Sequence, residues 1–131
     1  MSKQLIQDYY AAFNAKKFNH MLEFLTSDII HDTNQGSRTT GLGAFKSFLA
    51  DMDRYYDENL TDFSILVSED GTRASAEFIC SGTYKVSCAG LPAARGQKYR
   101  LPVGCFFEIR AGKIARITNY YNLPDWVAQV K

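Results

Sequence analysis

The spacing of apolar residues changes once along the chain, and this change limits the folds available to it. Up to Tyr56 the apolar residues recur every three to four positions, and from Leu60 onward they alternate with polar ones. A period near 3.6 is typical of helices that pack by one face, and a period of two is typical of strands. The sequence therefore predicts helices first and a sheet of consecutive strands second.

The N-terminal part of the chain predicts three helices and one strand. We expect the helices over Ser2–Ala15, around Phe18–Leu25 and over Ala44–Tyr56, because each segment carries apolar residues on one face. A strand is expected over Asp28–Thr33, and the polar segment Asn34–Ser37 that follows is typical of a turn.

The second half predicts a four-strand meander that ends in a short turn or helix from Pro124 to Lys131. The hairpin signals Asp70-Gly71 and Ala111-Gly112 separate strands in this half. The expected strands comprise the segment around Phe63–Val67, then Arg73–Val86, Gln97–Arg110 and Lys113–Asn122. Helices followed by a meander favour a segregated α+β fold in a single domain, residues 1–131, over a parallel doubly wound sheet.

Composition excludes several classes of function. The net charge is +1 and the basic residues are scattered, whereas a nucleic-acid surface needs concentrated positive charge. No apolar run reaches bilayer length, so no membrane span is expected. The three cysteines, Cys80, Cys88 and Cys105, have no metal-ligand spacing. We expect them to be free thiols in a reduced, cytoplasmic protein, with neither metal nor cofactor.

Aromatic residues make up 14% of the chain. Rings with hydroxyl groups suit a cavity that is apolar with a few polar points, which predicts a pocket for a small apolar or carbonyl-bearing ligand.

Three motifs, together with the order of the elements, resemble the nuclear transport factor 2 superfamily. They are Tyr9-Tyr10-Ala11-Ala12-Phe13-Asn14-Ala15, Gly41 followed four positions later by Phe45, and Gly112-Lys113-Ile114. Within that superfamily the whole chain is most similar to the SnoaL-like, ketosteroid-isomerase-related group. The resemblance implies a cystatin-like conical barrel, in which N-terminal helices close a strongly curved antiparallel sheet, and it implies a dimer.

Asp32 is the first candidate catalytic residue. It ends the apolar strand Ile29-Ile30-His31-Asp32 just before a polar turn, and the resemblance aligns it with the isomerase general base. A partly buried carboxylate there would take a proton from carbon next to a carbonyl, and burial would raise its pKa. The alternative is an Asp that caps the turn by accepting backbone N–H groups. His31 points to the opposite face of the strand, so we do not expect a dyad with Asp32.

Tyr9 is the second candidate, because the resemblance aligns it with the tyrosine that donates a hydrogen bond to the developing oxyanion. The alternative is a core tyrosine whose hydroxyl binds a backbone carbonyl. The isomerase pairs its tyrosine with a protonated aspartic acid. Here that position falls on Gly104 or on Cys105, depending on the alignment, and neither is an acid. Asn119 could fill the gap, since an amide both donates and accepts; the alternative is a satisfied polar residue inside the barrel.

The remaining expectations concern the pocket wall and the assembly. Strand alternation and the resemblance predict a wall of Tyr55, Phe78, Tyr84, Tyr99, Val103, Cys105, Phe107, Ile117 and Tyr121. The opposite sheet face carries Ile79, Thr83 and Phe106, which predicts a homodimer through that outer face.

Function is predicted as an acid–base isomerase, lyase or cyclase that acts on a carbonyl compound, with true steroid isomerase activity disfavoured by the missing acid. The alternatives are a binding module without turnover and a dimeric scaffold of the same fold.

Overall fold

The computed structural model describes residues 1–131. It contains four helices, which span Ser2–Asn14 (α1), Phe18–Leu22 (α2), Leu42–Tyr55 (α3) and Leu123–Val130 (α4). Its six strands span Leu25–Asp32 (β1), Arg38–Thr40 (β2), Tyr56–Val67 (β3), Arg73–Tyr84 (β4), Lys98–Arg110 (β5) and Lys113–Tyr121 (β6). None of the four helices has both the length and the apolar character needed to cross a membrane.

All six strands form one sheet in the order β2-β1-β6-β5-β4-β3. The pairs are antiparallel except β1 with β6, which is parallel. The sheet is curved and unclosed, so β2 and β3 remain as its two edges. The predicted α+β fold, with helices against a curved sheet, is confirmed.

The helices form where the sequence places apolar residues on one face. Helix α1 buries Ile6, Tyr9 and Tyr10, and α3 buries Phe45 and Leu49. Folding removes most of each of these side chains from water, which stabilises the folded state by about 1.5–3 kcal/mol for each large apolar residue. These faces cover the concave side of the curved sheet, where α1 packs against β3 and α3 packs against β1 and β3.

Two segments differ from the prediction. Strand β2 lies between the predicted turn at Asn34–Ser37 and the predicted helix from Ala44, where no element was predicted, and all three of its residues are exposed. Strand β3 begins at Tyr56, directly after α3, although the alternation was recognised only from Leu60. Both segments lack the run of apolar residues that reveals a half-buried strand; they pair because neighbouring strands supply backbone partners.

The turn between β5 and β6 agrees with its sequence signal. Ala111 and Gly112 have φ values of 51° and 75°, as a type I′ turn requires at both central positions. This tight turn holds β5 and β6 in register, and their inward residues form one wall of the cavity described next.

Candidate active site

A cavity of about 220 Å³ lies between the helices and the concave face of the sheet. This is somewhat smaller than the roughly 300–1,000 Å³ typical of sites for drug-sized ligands, so it suits a small organic molecule. Nineteen of its 24 lining residues are hydrophobic. The others are Thr33, Asn34, Gln35, Glu58 and Asn119, and of these only Glu58 is charged.

The structure brings most of the predicted wall together. The predicted residues that line the cavity are Tyr9, Phe78, Tyr99, Val103, Cys105, Asn119 and Tyr121. Of the two alignments of the missing isomerase acid, the one on Cys105 corresponds to an inward position. Gly104 is next to it in β5, so a side chain at that position would point to the opposite face of the sheet.

The placement of four other residues in the cavity wall was wrong. Phe107 and Ile117 are fully buried in the core and do not reach the cavity. The Tyr84 hydroxyl donates to the Pro92 carbonyl and accepts from the Cys88 amide, both at 2.8 Å, so this side chain holds a loop instead. At the junction of α3 and β3 the inward residue is Tyr56, not Tyr55.

The placement of Asp32 in the cavity was also wrong. Its carboxylate accepts two hydrogen bonds from Arg38, at 2.6 and 3.0 Å, and one from the Thr118 hydroxyl at 2.8 Å. Arg38 on β2 and Thr118 on β6 are its direct cross-strand neighbours. These partners, with Arg38 contributing most, lower the pKa of Asp32 to about 2, opposite to the predicted rise. Asp32 is therefore an ion-paired carboxylate on the outer face.

Tyr9 is held by α1 with its ring against two others. The ring centroids of Tyr10 and Phe107 lie 5.0 and 6.5 Å away. Burial, and to a smaller extent the nearby Cys105, raises the pKa of the Tyr9 phenol far above its ordinary value. Tyr9 therefore stays protonated and can act as a neutral hydrogen-bond donor.

Asn119 is fixed by two neighbours. Its carbonyl oxygen accepts a hydrogen bond from the Cys105 thiol at 2.9 Å, and its amide nitrogen lies 2.9 Å from Nε2 of His31. Burial raises the pKa of Cys105 to about 12, so the thiol keeps its proton. Because an amide NH₂ has two hydrogens, one N–H of Asn119 remains available to a ligand.

His31 was not among the predicted site residues. Its side chain is only 1% exposed and its ring packs edge-on against Phe45 and Phe48 at 5.0 and 4.4 Å. Burial lowers its pKa, so the ring is neutral, and its Nδ1 atom has no partner. The alternation of β1, which turns Ile29 and His31 to the same face, was the signal for this position.

Glu58 is a second candidate site residue that the sequence did not reveal. It lies on β3, and its Oε2 atom accepts a hydrogen bond from the Tyr99 hydroxyl at 2.6 Å. Burial raises the pKa of Glu58, against the opposing effects of hydrogen bonds from Tyr99 and Cys80. The signal that could have revealed Glu58 was its alternation with Tyr56 and Leu60, which turns all three residues to the cavity face of β3. No group of three or more His, Cys, Asp or Glu side chains is arranged to hold a metal ion.

Comparison with solved structures identifies the fold. A protein of Burkholderia pseudomallei K96243 with the nuclear transport factor 2-like fold and unknown function has a TM-score of 0.80 at 13% identity, with 99% of this chain and 97% of that chain covered. An LEH-like epoxide hydrolase from Mycobacterium tuberculosis has a TM-score of 0.78 at 15% identity, with coverages of 98% and 84%. Both show the architecture alone.

More similar structures identify the family. A proposed polyketide cyclase from Pseudomonas putida KT2440 is 50% identical, with a TM-score of 0.98 and coverages of 100% of this chain and 98% of that chain. A second, from Xanthomonas campestris, is 47% identical, with a TM-score of 0.95 and full coverage of both chains. The model of the SnoaL-like domain matches residues 6–117, so the chain belongs to the SnoaL-like family. No match is found among the curated proteins.

Proposed function

We propose that this protein is an acid–base enzyme, of the isomerase, lyase or cyclase type, that acts on a small carbonyl compound inside the cavity. The observation that carries the proposal is that two neutral hydrogen-bonding groups, the Tyr9 phenol and the Asn119 amide, belong to a cavity wall in which 19 of 24 residues are hydrophobic. Side chains alone supply the chemistry in this proposal, without a cofactor.

The two groups suit the stabilisation of an oxygen that gains negative charge. When a proton leaves the carbon next to a carbonyl, the electron pair moves onto the carbonyl oxygen. Preorganised donors in a cavity with little water stabilise that charge strongly, and one such donor contributes about 10²–10³ in rate. The raised pKa of Tyr9 keeps its proton in place throughout.

Steroid isomerisation by the known isomerase machinery is not part of the proposal. Cys105 lies at the inward position where that machinery needs a carboxylic acid, and its thiol already donates to Asn119. Asp32 is not included as the base, because its carboxylate is paired with Arg38 away from the cavity. Among the three proposed activities, the similarity to two proposed polyketide cyclases supports the cyclase.

The test is deuterium incorporation into 2,6-heptanedione, followed by proton NMR in deuterated buffer. The wild-type protein should accelerate exchange at carbon next to the carbonyls, and Tyr9→Phe should slow that exchange by about 10²-fold, as the loss of one oxyanion donor does. Tyr55→Phe is the matched control, since Tyr55 lies outside the cavity wall, and it should exchange like the wild type.

A binding module without turnover is the second candidate. It is favoured by the hydrogen bonds that already occupy the carbonyl and one side of the Asn119 amide. In that case the diketone would bind in the cavity, Tyr9→Phe would weaken binding, and no exchange above the buffer rate would be seen.

A further inference from the structure

We propose that Glu58 is the catalytic group that moves the proton in this cavity, and that Tyr99 and Gly82 are the residues that position it. This inference rests on the proposed function, because it assigns a role within the same acid–base reaction.

The position of Glu58 in the wall is the first argument. Among the 24 residues around the cavity it is the only one with an ionisable carboxyl group. Strand β3 turns Tyr56, Glu58 and Leu60 inward and exposes Asp57 and Asn59. Glu58 on β3 can therefore take the role of proton acceptor that was predicted for Asp32 on β1.

The surroundings of Glu58 favour proton transfer. Its ionisable neighbours are the inward groups Tyr56, Tyr99, Tyr121 and Cys80, with Lys16 and Asp57 beyond them. Glu58 also borders an open surface pocket that Lys98 and Arg100 line from β5. Lys16 directs its ammonium group to the Glu58 backbone carbonyl at 2.7 Å and to the Asp57 carboxylate at 3.0 Å. The Glu58 carboxylate itself has no cation bound to it, and a base with a raised proton affinity is more effective near neutral pH.

Gly82 makes the contact between Tyr99 and Glu58 possible. Glu58, Gly82 and Tyr99 are direct neighbours across β3, β4 and β5. A Cβ atom at position 82 would lie 2.4 Å from Cζ of Tyr99 and 2.5 Å from its hydroxyl oxygen. Because Gly82 has no side chain, the Tyr99 ring crosses over it and reaches the carboxylate.

The two polar ends of the cavity indicate the kind of substrate. Tyr99, Leu101, Val103 and Cys105 all line the cavity from β5. Tyr99 marks the end near Glu58, and Cys105 marks the end near Asn119. The substrate is therefore a small compound with two carbonyl groups, one held by Tyr9 and Asn119 and the other, with an acidic C–H next to it, near Glu58.

The proton step is balanced without an oxidant or a reductant. The Glu58 carboxylate takes the proton, and the C–H electron pair either enters the enolate of the second carbonyl or attacks the first carbonyl carbon. In the second case a C–C bond forms and the C=O electron pair moves onto the oxygen held by Tyr9 and Asn119. The proton then returns through solvent, to carbon in the first case and to that oxygen in the second.

The experiment compares deuterium exchange of 2,6-heptanedione with that of 2-heptanone, which has a single carbonyl. The wild type should accelerate exchange of the diketone more than that of the monoketone. Glu58→Gln keeps the shape of the side chain and should slow diketone exchange by at least about 10²-fold. Glu77→Gln, on the exposed side of β4, is the matched control and should match the wild type.

The pH profile tests the positioning residues. Because the Tyr99 hydrogen bond lowers the pKa of Glu58, Tyr99→Phe should move the midpoint of the rate profile to higher pH while the protein stays folded. Gly82→Ala should move it in the same direction, and the double variant should show no further shift, since both changes break one contact.

The outcomes separate this inference from the proposed function. If the wild type exchanges the diketone and Glu58→Gln retains that rate within about threefold, well below the loss expected for a positioned base, the role of Glu58 is overturned and the proposed function stands. A wild type that exchanges neither compound above the buffer rate overturns both. If Tyr99→Phe and Gly82→Ala leave the midpoint of the pH–rate profile unchanged, the positioning roles of Tyr99 and Gly82 are overturned.

Discussion

The Tyr99 hydroxyl donates a 2.6 Å hydrogen bond to Glu58, although a whole strand separates the two residues in the sheet. Residue 82 lies between them in register, and it is a glycine. The sheet thus places an ionisable carboxyl in an apolar cavity and supports it from one side with a phenol. Tyr99 and Glu58 are far apart in the sequence, and the hydrogen bond between them depends on the pairing of three strands.

Replacement of Gly82 by alanine should destabilise the protein. The added Cβ would lie 2.4 Å from the Tyr99 ring, so the ring must move, and overpacking of this kind costs about 1–3 kcal/mol. Urea unfolding would measure the change in the free energy of unfolding. Gly104→Ala on β5 is the matched control, because a Cβ there would meet nothing within 4 Å. Equal stabilities for the two variants would contradict the close approach.

Asp32→Asn should lower stability at neutral pH by about 1 kcal/mol, the usual scale for an ion pair that is partly exposed. The Arg38 hydrogen bonds lower the pKa of the folded-state carboxyl to about 2, below its ordinary 3.8. A lowered pKa contributes stability that is present above the ordinary value and is lost as the pH falls through about 2. The difference between wild type and variant should therefore disappear in strong acid. An NMR titration of Asp32 at or above 3.8 would refute the pairing.

His31 should make the protein less stable in mild acid. Burial lowers its pKa from 6.5, so the unfolded chain binds a proton that the folded chain does not. The stability contributed by the neutral ring is present above 6.5 and is lost as the pH falls below it. His31→Gln can still pair with Asn119 and should reduce the loss of unfolding free energy between pH 7.5 and 5.5. The exposed His20→Gln is the control, and an equal pH dependence in His31→Gln and wild type would exclude this explanation.

The outer face of the sheet should bind a second copy of the chain. Phe106 and Tyr120 are 46% and 54% exposed, and their ring centroids are 5.9 Å apart. Adjacent exposed rings on one sheet face are typical of an interface. Light scattering should give a dimer mass for the wild type and a monomer mass for Phe106→Lys with Tyr120→Lys. Val86→Lys, at an exposed position outside the strands, should remain dimeric. A wild-type monomer at micromolar concentration would disprove the dimer.

The order of helices and strands could be predicted because the spacing of apolar residues is visible within each segment. The stripe of α1 and the alternation of β4, β5 and β6 each depend on residues close in sequence. Strand β2 could not be predicted in this way, since Arg38–Thr40 buries nothing. The first half of β3 was missed because its inward face carries Glu58 between Tyr56 and Leu60, which interrupts the apolar pattern.

The site was harder to predict than the fold, because it depends on which face of a strand each residue occupies. Tyr9 and Asn119 could be placed from helix spacing and strand alternation. Asp32 was misplaced because the end of a strand before a polar turn suggested a cavity mouth, whereas Arg38 comes from a strand the sequence did not reveal. The Glu58–Tyr99 contact needs Gly82 opposite both residues, and only the register of the sheet shows that.

The most direct test of the proposed function is the carbonyl ¹³C chemical shift of a bound ketone, 2-heptanone labelled at its carbonyl carbon. If Tyr9 and Asn119 polarise the carbonyl for acid–base chemistry, the signal of the bound ketone should move downfield of its position in water. Tyr9→Phe should reverse most of that shift, and Tyr55→Phe should leave it unchanged. A bound carbonyl with the shift of an apolar solvent, unaffected by Tyr9→Phe, would contradict the account.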